Sequence, residues 1–161
     1  MNDIISAALD AAASSGASYA DVRIVDTSRE AIQIASGVVE KVEHSDSFGL
    51  GVRALADGAW GFASSREVTA TEAVKVARQA VAIARASALV KAAPVVLAPV
   101  EPARGSWSST CVIDPFAVAL EDKLALLIAA DEALRTQPQV AITKAQLDFF
   151  RERKWFGSTE G

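Results

Sequence analysis

Few residues here can do chemistry, and their spacing limits what they can do. His44 is the only histidine and Cys111 the only cysteine in 161 residues. A zinc site takes three or four convergent histidine, cysteine or carboxylate ligands, and these two residues form no recognised ligand spacing. No metal site and no catalytic residue is therefore assigned to this chain. His44, beside Glu43 and close to Asp46, reads as a solvated polar residue at a strand end. Cys111 lies between Thr110 and Val112 and reads as a buried small hydrophobe, since no histidine near it in sequence can generate its thiolate. A Cys111 and His44 pair would need contact in space. Gly49-Leu-Gly-Val lacks the third glycine and the following helix of a dinucleotide-binding fingerprint.

The more informative group is Phe48-Gly-Leu-Gly-Val-Arg-Ala-Leu-Ala-Asp-Gly-Ala-Trp-Gly-Phe-Ala-Ser-Ser65. Its alternation and its Asp57-Gly58 pair predict a β-hairpin. Phe48, Leu50, Val52 and Ala54 share one side of the first strand, and Gly49, Gly51 and Arg53 share the other. Trp60 and Phe62 alternate with Gly61 on the returning strand. Repeated glycines on one face imply close approach by another backbone, an aromatic ring or a bound peptide. An arginine there can hold a peptide carboxylate or carbonyl, although a salt bridge to Asp57 or Glu40 is its commoner fate. Aromatic residues that alternate along a strand are usually core, but they can also grip a side chain. Gly49, Gly51, Arg53, Trp60, Gly61 and Phe62 form the candidate peptide-binding or subunit-contact set.

The elements that must position this set are legible around it. Asn2 or Asp3 can cap a first helix with Ile4, Ile5, Ala8, Leu9 and Ala12 on one side, ended by Gly16. Tyr19 to Asp26 and Glu30 to Ala35 read as two antiparallel strands joined near Thr27-Ser-Arg29. Gly37 separates the second from Val38 to His44, one bent strand or two, giving four or five strands in the first 65 residues. Thr69-Ala-Thr-Glu72 has capping-box spacing and opens a second helix with Val74, Ala77, Val81, Ala84 and Ala88 on one face. Residues 89–105, with Pro94, Pro99 and Pro102, read as a semi-extended connector inside one domain spanning 1–161. Asp114-Pro115 leads to a third helix with an apolar stripe at Leu120, Leu124, Leu127, Ile128 and Leu134. Two closing strands, Val140 to Phe150 and Lys154 to Ser158, turn at Arg151-Glu-Arg153. The expected fold class is α+β: a mixed, mainly antiparallel sheet of hairpins packed against about three helices.

Composition narrows the function classes. With 51% hydrophobic and 22% charged residues the chain is far from a disordered balance. A net charge of −4 argues against direct nucleic-acid binding, which draws on clustered lysine and arginine. The one dense basic run, Arg151-Glu-Arg-Lys154, is interrupted by a glutamate and reads as a solvated turn. Apolar stretches such as 92–100 are proline-broken and too short to span a bilayer, so no membrane role is expected. The single cysteine and the absence of a secretory signal at Met1-Asn-Asp-Ile-Ile lead to an expected cytoplasmic location.

The glycine hairpin, together with Gly16-Ala-Ser-Tyr-Ala-Asp-Val-Arg23, Asp114-Pro-Phe116 and Trp155-Phe-Gly-Ser-Thr-Glu-Gly161, resembles the amino-terminal domain of the TldD/PmbA family along nearly the whole chain. Asp57-Gly-Ala-Trp-Gly-Phe62 and Asp114-Pro-Phe116 incline the resemblance to the TldD side. Proteins of that family are described as modulators of DNA gyrase and as zinc metallopeptidases that cut unfolded peptides. Their zinc motif, His-Glu-x-x-x-His, lies in a second, carboxy-terminal domain, whereas here His44 is followed by Ser45. The resemblance implies a substrate-channel and assembly domain, not catalytic alone, with zinc in the absent domain. It also implies a peptide substrate and a homologous TldD/PmbA-type subunit as partners. In the family the terminal Ser-x-Glu-Gly segment runs on into the rest of the protein. The alternative is a non-enzymatic protein-binding module of the gyrase-modulator or PmbA-like kind.

Overall fold

The computed structural model describes residues 1–160. Helix α1 (Asn2–Ser14) precedes strands β1 (Tyr19–Ala35), β2 (Val38–Ala56) and β3 (Ala59–Ser65), then helix α2 (Ala70–Ala88). After a long irregular stretch come a 3₁₀ turn (Pro115–Ala117), helix α3 (Leu120–Arg135) and strand β4 (Lys144–Ser158). The four strands form one antiparallel sheet in the order β3-β2-β1-β4, so the fold is α+β as expected.

Three local expectations need correction, and each involves a polar run. Thr27-Ser-Arg29 lies inside a single 17-residue strand and does not turn. Arg151-Glu-Arg153 likewise continues β4, which is one strand of 15 residues. The first 65 residues therefore hold three strands, of 17, 19 and 7 residues, instead of four or five. No residue in either run has positive φ; those among the described residues are Gly16, Ser36, Gly37, Asp57 and Gly58. Ser36-Gly37 and Asp57-Gly58 each pair two such residues, which is what a two-residue hairpin turn demands. Asn2 and Asp3 sit inside α1, whose N-cap is Met1.

The chain forms two compact units. The first is built from residues 1–26, 48–106 and 153–161, the second from 27–47 and 107–152. In the first unit Ile5, Ala8 and Ala12 of α1 and Val76, Ala77, Ala80, Val81 and Ala84 of α2 bury against Val22, Ile24, Leu50, Val52 and Ala54. Thr69 Oγ accepts the Glu72 amide at 3.2 Å, so α2 starts where expected. The Glu72 carboxylate is taken by Lys75 at 2.8 Å. Arg85 at the end of α2 donates to the Ser15 carbonyl at 2.7 Å, satisfying an otherwise orphaned group at the end of α1. The connector starts by fastening to the hairpin turn, with the Val95 amide on the Gly58 carbonyl at 2.9 Å.

In the second unit Leu127 of α3 packs on Ile32 and Ile34, with Leu124, Ala145 and Leu147 around them. The expected stripe is mostly outward: Leu120, Ile128 and Leu134 are exposed. The buried side of α3 instead carries Lys123, paired with Glu30 at 2.6 Å, and Asp131. Asp131 accepts from Thr143 Oγ1 and from Arg135 Nε, the latter at 2.8 Å. Its carboxyl is held below the ordinary 3.8, first by the Thr143 hydrogen bond and against the opposing effect of burial, with Arg135 assisting.

Since the folded value is the lower one, Asp131 contributes stability above about pH 4 that is lost as the pH falls through the folded pKa. Thermal melts between pH 5 and pH 2, values chosen to bracket the ordinary carboxylate range, should show Asp131→Asn losing less stability with acid than the parent chain. Equal acid slopes would remove Asp131 from the acid response.

Candidate functional site

The glycine hairpin forms as expected, with Ala56 opposite Ala59 and Leu50 opposite Ser65. Its two faces differ in kind. Leu50, Val52 and Ala54 look into the helical core, and so does Gly61, whose backbone lies under α2. A Cβ built on Gly61 would stand 2.0 Å from the Ala80 carbonyl oxygen and 2.4 Å from the Ala84 nitrogen. Gly51 is on the opposite face, where a Cβ would meet the Phe62 ring at 3.0 Å. One glycine is thus approached by another backbone and the other by an aromatic ring, both from within the chain. Gly49 lies near the Ser65 carbonyl, which a Cβ would meet at 3.0 Å.

Asp21 is the centre of that opposite face, and sequence inspection did not single it out. Alternation places Tyr19, Asp21 and Arg23 of β1 opposite the core residues Ala20, Val22 and Ile24. Arg53 of β2 donates to Asp21 Oδ2 through Nη2 at 2.6 Å and Nε at 2.8 Å. Its partner is therefore Asp21, neither Asp57 nor Glu40; Asp57 lies 3.8 Å from Arg85 instead. The Asp21 side chain is 2% exposed, so Arg53 neutralises a carboxylate that water barely reaches. The guanidinium also stacks over Trp60, 4.4 Å from the ring centroid. Tyr19 meets Trp60 edge-on at 5.8 Å, and its phenol is pushed up by burial and by the Asp21 carboxylate.

Trp60 is half-buried and Phe62 is 59% exposed, so these aromatics are not core. Arg23 completes the face, 3.6 Å from Asp21 Oδ1 and 5.5 Å from the Phe156 ring centroid on β4. Of the candidate set, Gly51, Arg53, Trp60 and Phe62 come together here, while Gly61 faces α2. The face carries guanidinium donors and exposed aromatic surface, but no imidazole or thiol. The chemistry of such a set is that of contact with apolar surface and with anionic groups.

His44 and Cys111 are elsewhere, in the second unit. His44 is exposed, bonded to Asp46 at 3.0 Å and edge-on to Phe116. Cys111 is exposed, contrary to the buried position expected, because it lies in irregular chain and makes only a local bond to the Ile113 carbonyl at 3.1 Å. An open cleft of about 520 Å³ beside Lys41, Glu43 and Phe150 in this unit has its charges engaged: Lys41 pairs with Glu43 and Arg29 stacks over Phe150. Among the described residues no group of three or more His, Cys, Asp or Glu is placed to hold a metal ion. No helix among them is long and apolar enough to cross a membrane.

Comparison with known proteins gives a consistent set of likenesses. Residues 20–84 match the family model described as PmbA/TldA metallopeptidase domain 1. A metalloprotease of Methanocaldococcus jannaschii is 24% identical over 135 residues, covering 84% of this chain and 30% of the relative. The fold matches that of a candidate DNA gyrase modulator from Bacteroides thetaiotaomicron with a TM-score of 0.76 at 17% identity, over 99% of this chain and 37% of the other. A similar candidate modulator from Thermotoga maritima gives 0.71 at 13% identity, over 99% and 35%. TldE from Thermococcus kodakarensis gives 0.73 at 10% identity, over 98% and 35%. At these identities the structural likenesses speak for the fold. The chain spans about a third of the length of the proteins it resembles.

Proposed function

This chain is an amino-terminal domain of the PmbA/TldD family, and from that premise we propose that it is the substrate-channel and assembly part of a cytoplasmic, TldD-like peptidase. In this reading it holds unfolded peptide on the sheet face of Arg53, Trp60 and Phe62. Hydrolysis belongs to a zinc-bearing domain outside this chain, and no step of it is assigned to these residues, which do not fit a zinc site.

The observation that carries the reading is the exposed Phe62 ring lying across Gly51, beside a Trp60 and Arg53 pair fixed by a buried carboxylate. Trp60, held in place by Arg53 and Tyr19, offers extended chain an aromatic surface at low entropic cost, and the exposed Phe62 ring adds contact area. For assembly with a homologous subunit the reading favours β2, supported by residues 38–47 having β1 on one side and, among the described residues, no strand on the other.

The test is binding of a dye-labelled, permanently unfolded polypeptide, followed by fluorescence anisotropy. Phe62→Ala should weaken binding by about fivefold to tenfold, as for a moderate aromatic contact. Its melting temperature should hardly move, because Phe62 is mostly exposed. Undiminished binding by this variant would remove the face from the proposal. Binding confined to a folded partner would favour the non-catalytic protein-binding module.

A further inference from the structure

Building on that reading, we propose that the face selects extended peptides carrying an acidic side chain, and that Arg23 is the residue that reads the carboxylate. Two guanidiniums, Arg23 and Arg53, stand against the single carboxylate of Asp21. They do not share it equally. Arg53 makes both short bonds, at 2.6 and 2.8 Å, to the same oxygen. Arg23 stays 3.6 Å from the other oxygen, beyond hydrogen-bond range. Asp21 is thus neutralised by Arg53, and the charge of Arg23 is left over.

That charge is held in position. The Arg23 guanidinium lies over the Phe156 ring at 5.5 Å, and its side chain is 48% exposed. A planar guanidinium resting on an aromatic ring keeps an orientation that an unsupported lysine would not, and its donor fork matches a carboxylate with two parallel bonds. An acidic side chain on a peptide across this face therefore meets a surplus cation, and a basic one meets repulsion. The occupant we commit to is an extended peptide with a Glu or Asp side chain opposite Arg23.

The experiment uses the full chain at low salt and two peptides of one unfolded sequence, acetylated and amidated at their ends, with Glu or Gln at the central position. The Glu peptide should bind about fivefold to tenfold more tightly, the range for a charge-assisted bond at a half-exposed site. Raising the salt should shrink the ratio. In Arg23→Gln the ratio should fall to about one, and Arg23→Lys should restore part of it, without a change in melting temperature. Equal binding of the two peptides by the parent chain, or a ratio that survives Arg23→Gln, overturns the proposal while leaving peptide capture standing. Binding of neither peptide defeats the peptide reading itself and this inference with it. A Gln peptide with a free carboxy terminus that outcompetes the Glu peptide would place the carboxylate at a chain end and overturn the side-chain assignment.

Discussion

Gly61→Ala is expected to destabilise the chain by about 3 kcal/mol or more, the upper part of the range for overpacking a close-packed site. The added methyl would lie 2.0 Å from the Ala80 carbonyl oxygen and 2.4 Å from the Ala84 nitrogen. Both are backbone atoms of α2, so no side-chain rotation relieves the overlap; strand and helix must separate. Gly51→Ala is the control, since the one tight contact of its methyl is the Phe62 ring at 3.0 Å, the Ala63 carbonyl oxygen lying at an ordinary 3.9 Å, and an exposed ring can swing aside. Denaturant titrations of both variants should give a large shift for position 61 and less than about 1 kcal/mol for position 51. Equal losses would mean that the α2 contact is no tighter than the ring contact.

The second large effect is expected from Arg53→Ala. Removing the guanidinium leaves Asp21, 2% exposed, with no cation nearer than Arg23 at 3.6 Å and only the neutral Tyr19 phenol beside it. Breaking one side of a buried ion pair costs about 3–5 kcal/mol, and the lower end applies because Arg53 is itself partly exposed. At this chain length a loss of about 3 kcal/mol lowers the melting temperature by roughly 10 °C. Lost peptide capture in Arg53→Ala would then mix two causes. The variant Asp21→Asn with Arg53→Gln separates them, since it removes both charges together and should recover most of the stability. If the double variant melts as low as the single one, the stranded carboxylate is not the cause.

Turn chemistry made part of this fold legible in advance. Asp57-Gly58 predicts its hairpin because positive φ is a local demand that Asp and Gly meet locally. Thr69 predicts the start of α2 because a cap needs only the next three residues. Polarity alone misled at Thr27-Ser-Arg29 and Arg151-Glu-Arg153. Strand positions there are polar because they carry ion pairs or face solvent, as with Arg151 on Asp114 at 2.9 Å. These runs also adjoin the borders between the two units, at residues 26/27 and 152/153. A composition change along a strand there marks a change of unit, not of direction.

The candidate site was half legible. Alternation grouped Arg53 with Gly51 correctly. The partner of Arg53 lay out of reach, because Asp21 is 32 residues away and only the pairing of β1 with β2 brings it near. For α3, helical spacing shows which apolar residues share a side but not which side meets the sheet. Lys123 and Asp131 took that place because Glu30, Thr143 and Arg135 satisfy them.

The stretch of β2 at residues 38–48 is exposed throughout, and the turn Ser36-Gly37 is all that separates it from its neighbour β1. Closing so short a loop costs little chain entropy, and contacts between near neighbours in sequence form fast. Yet little apolar surface is removed from water along this arm. The burial that stabilises this hairpin is therefore carried by its β1 arm, through Ile32 and Ile34, while the β2 arm contributes mainly a pairing that needs almost no loop to close.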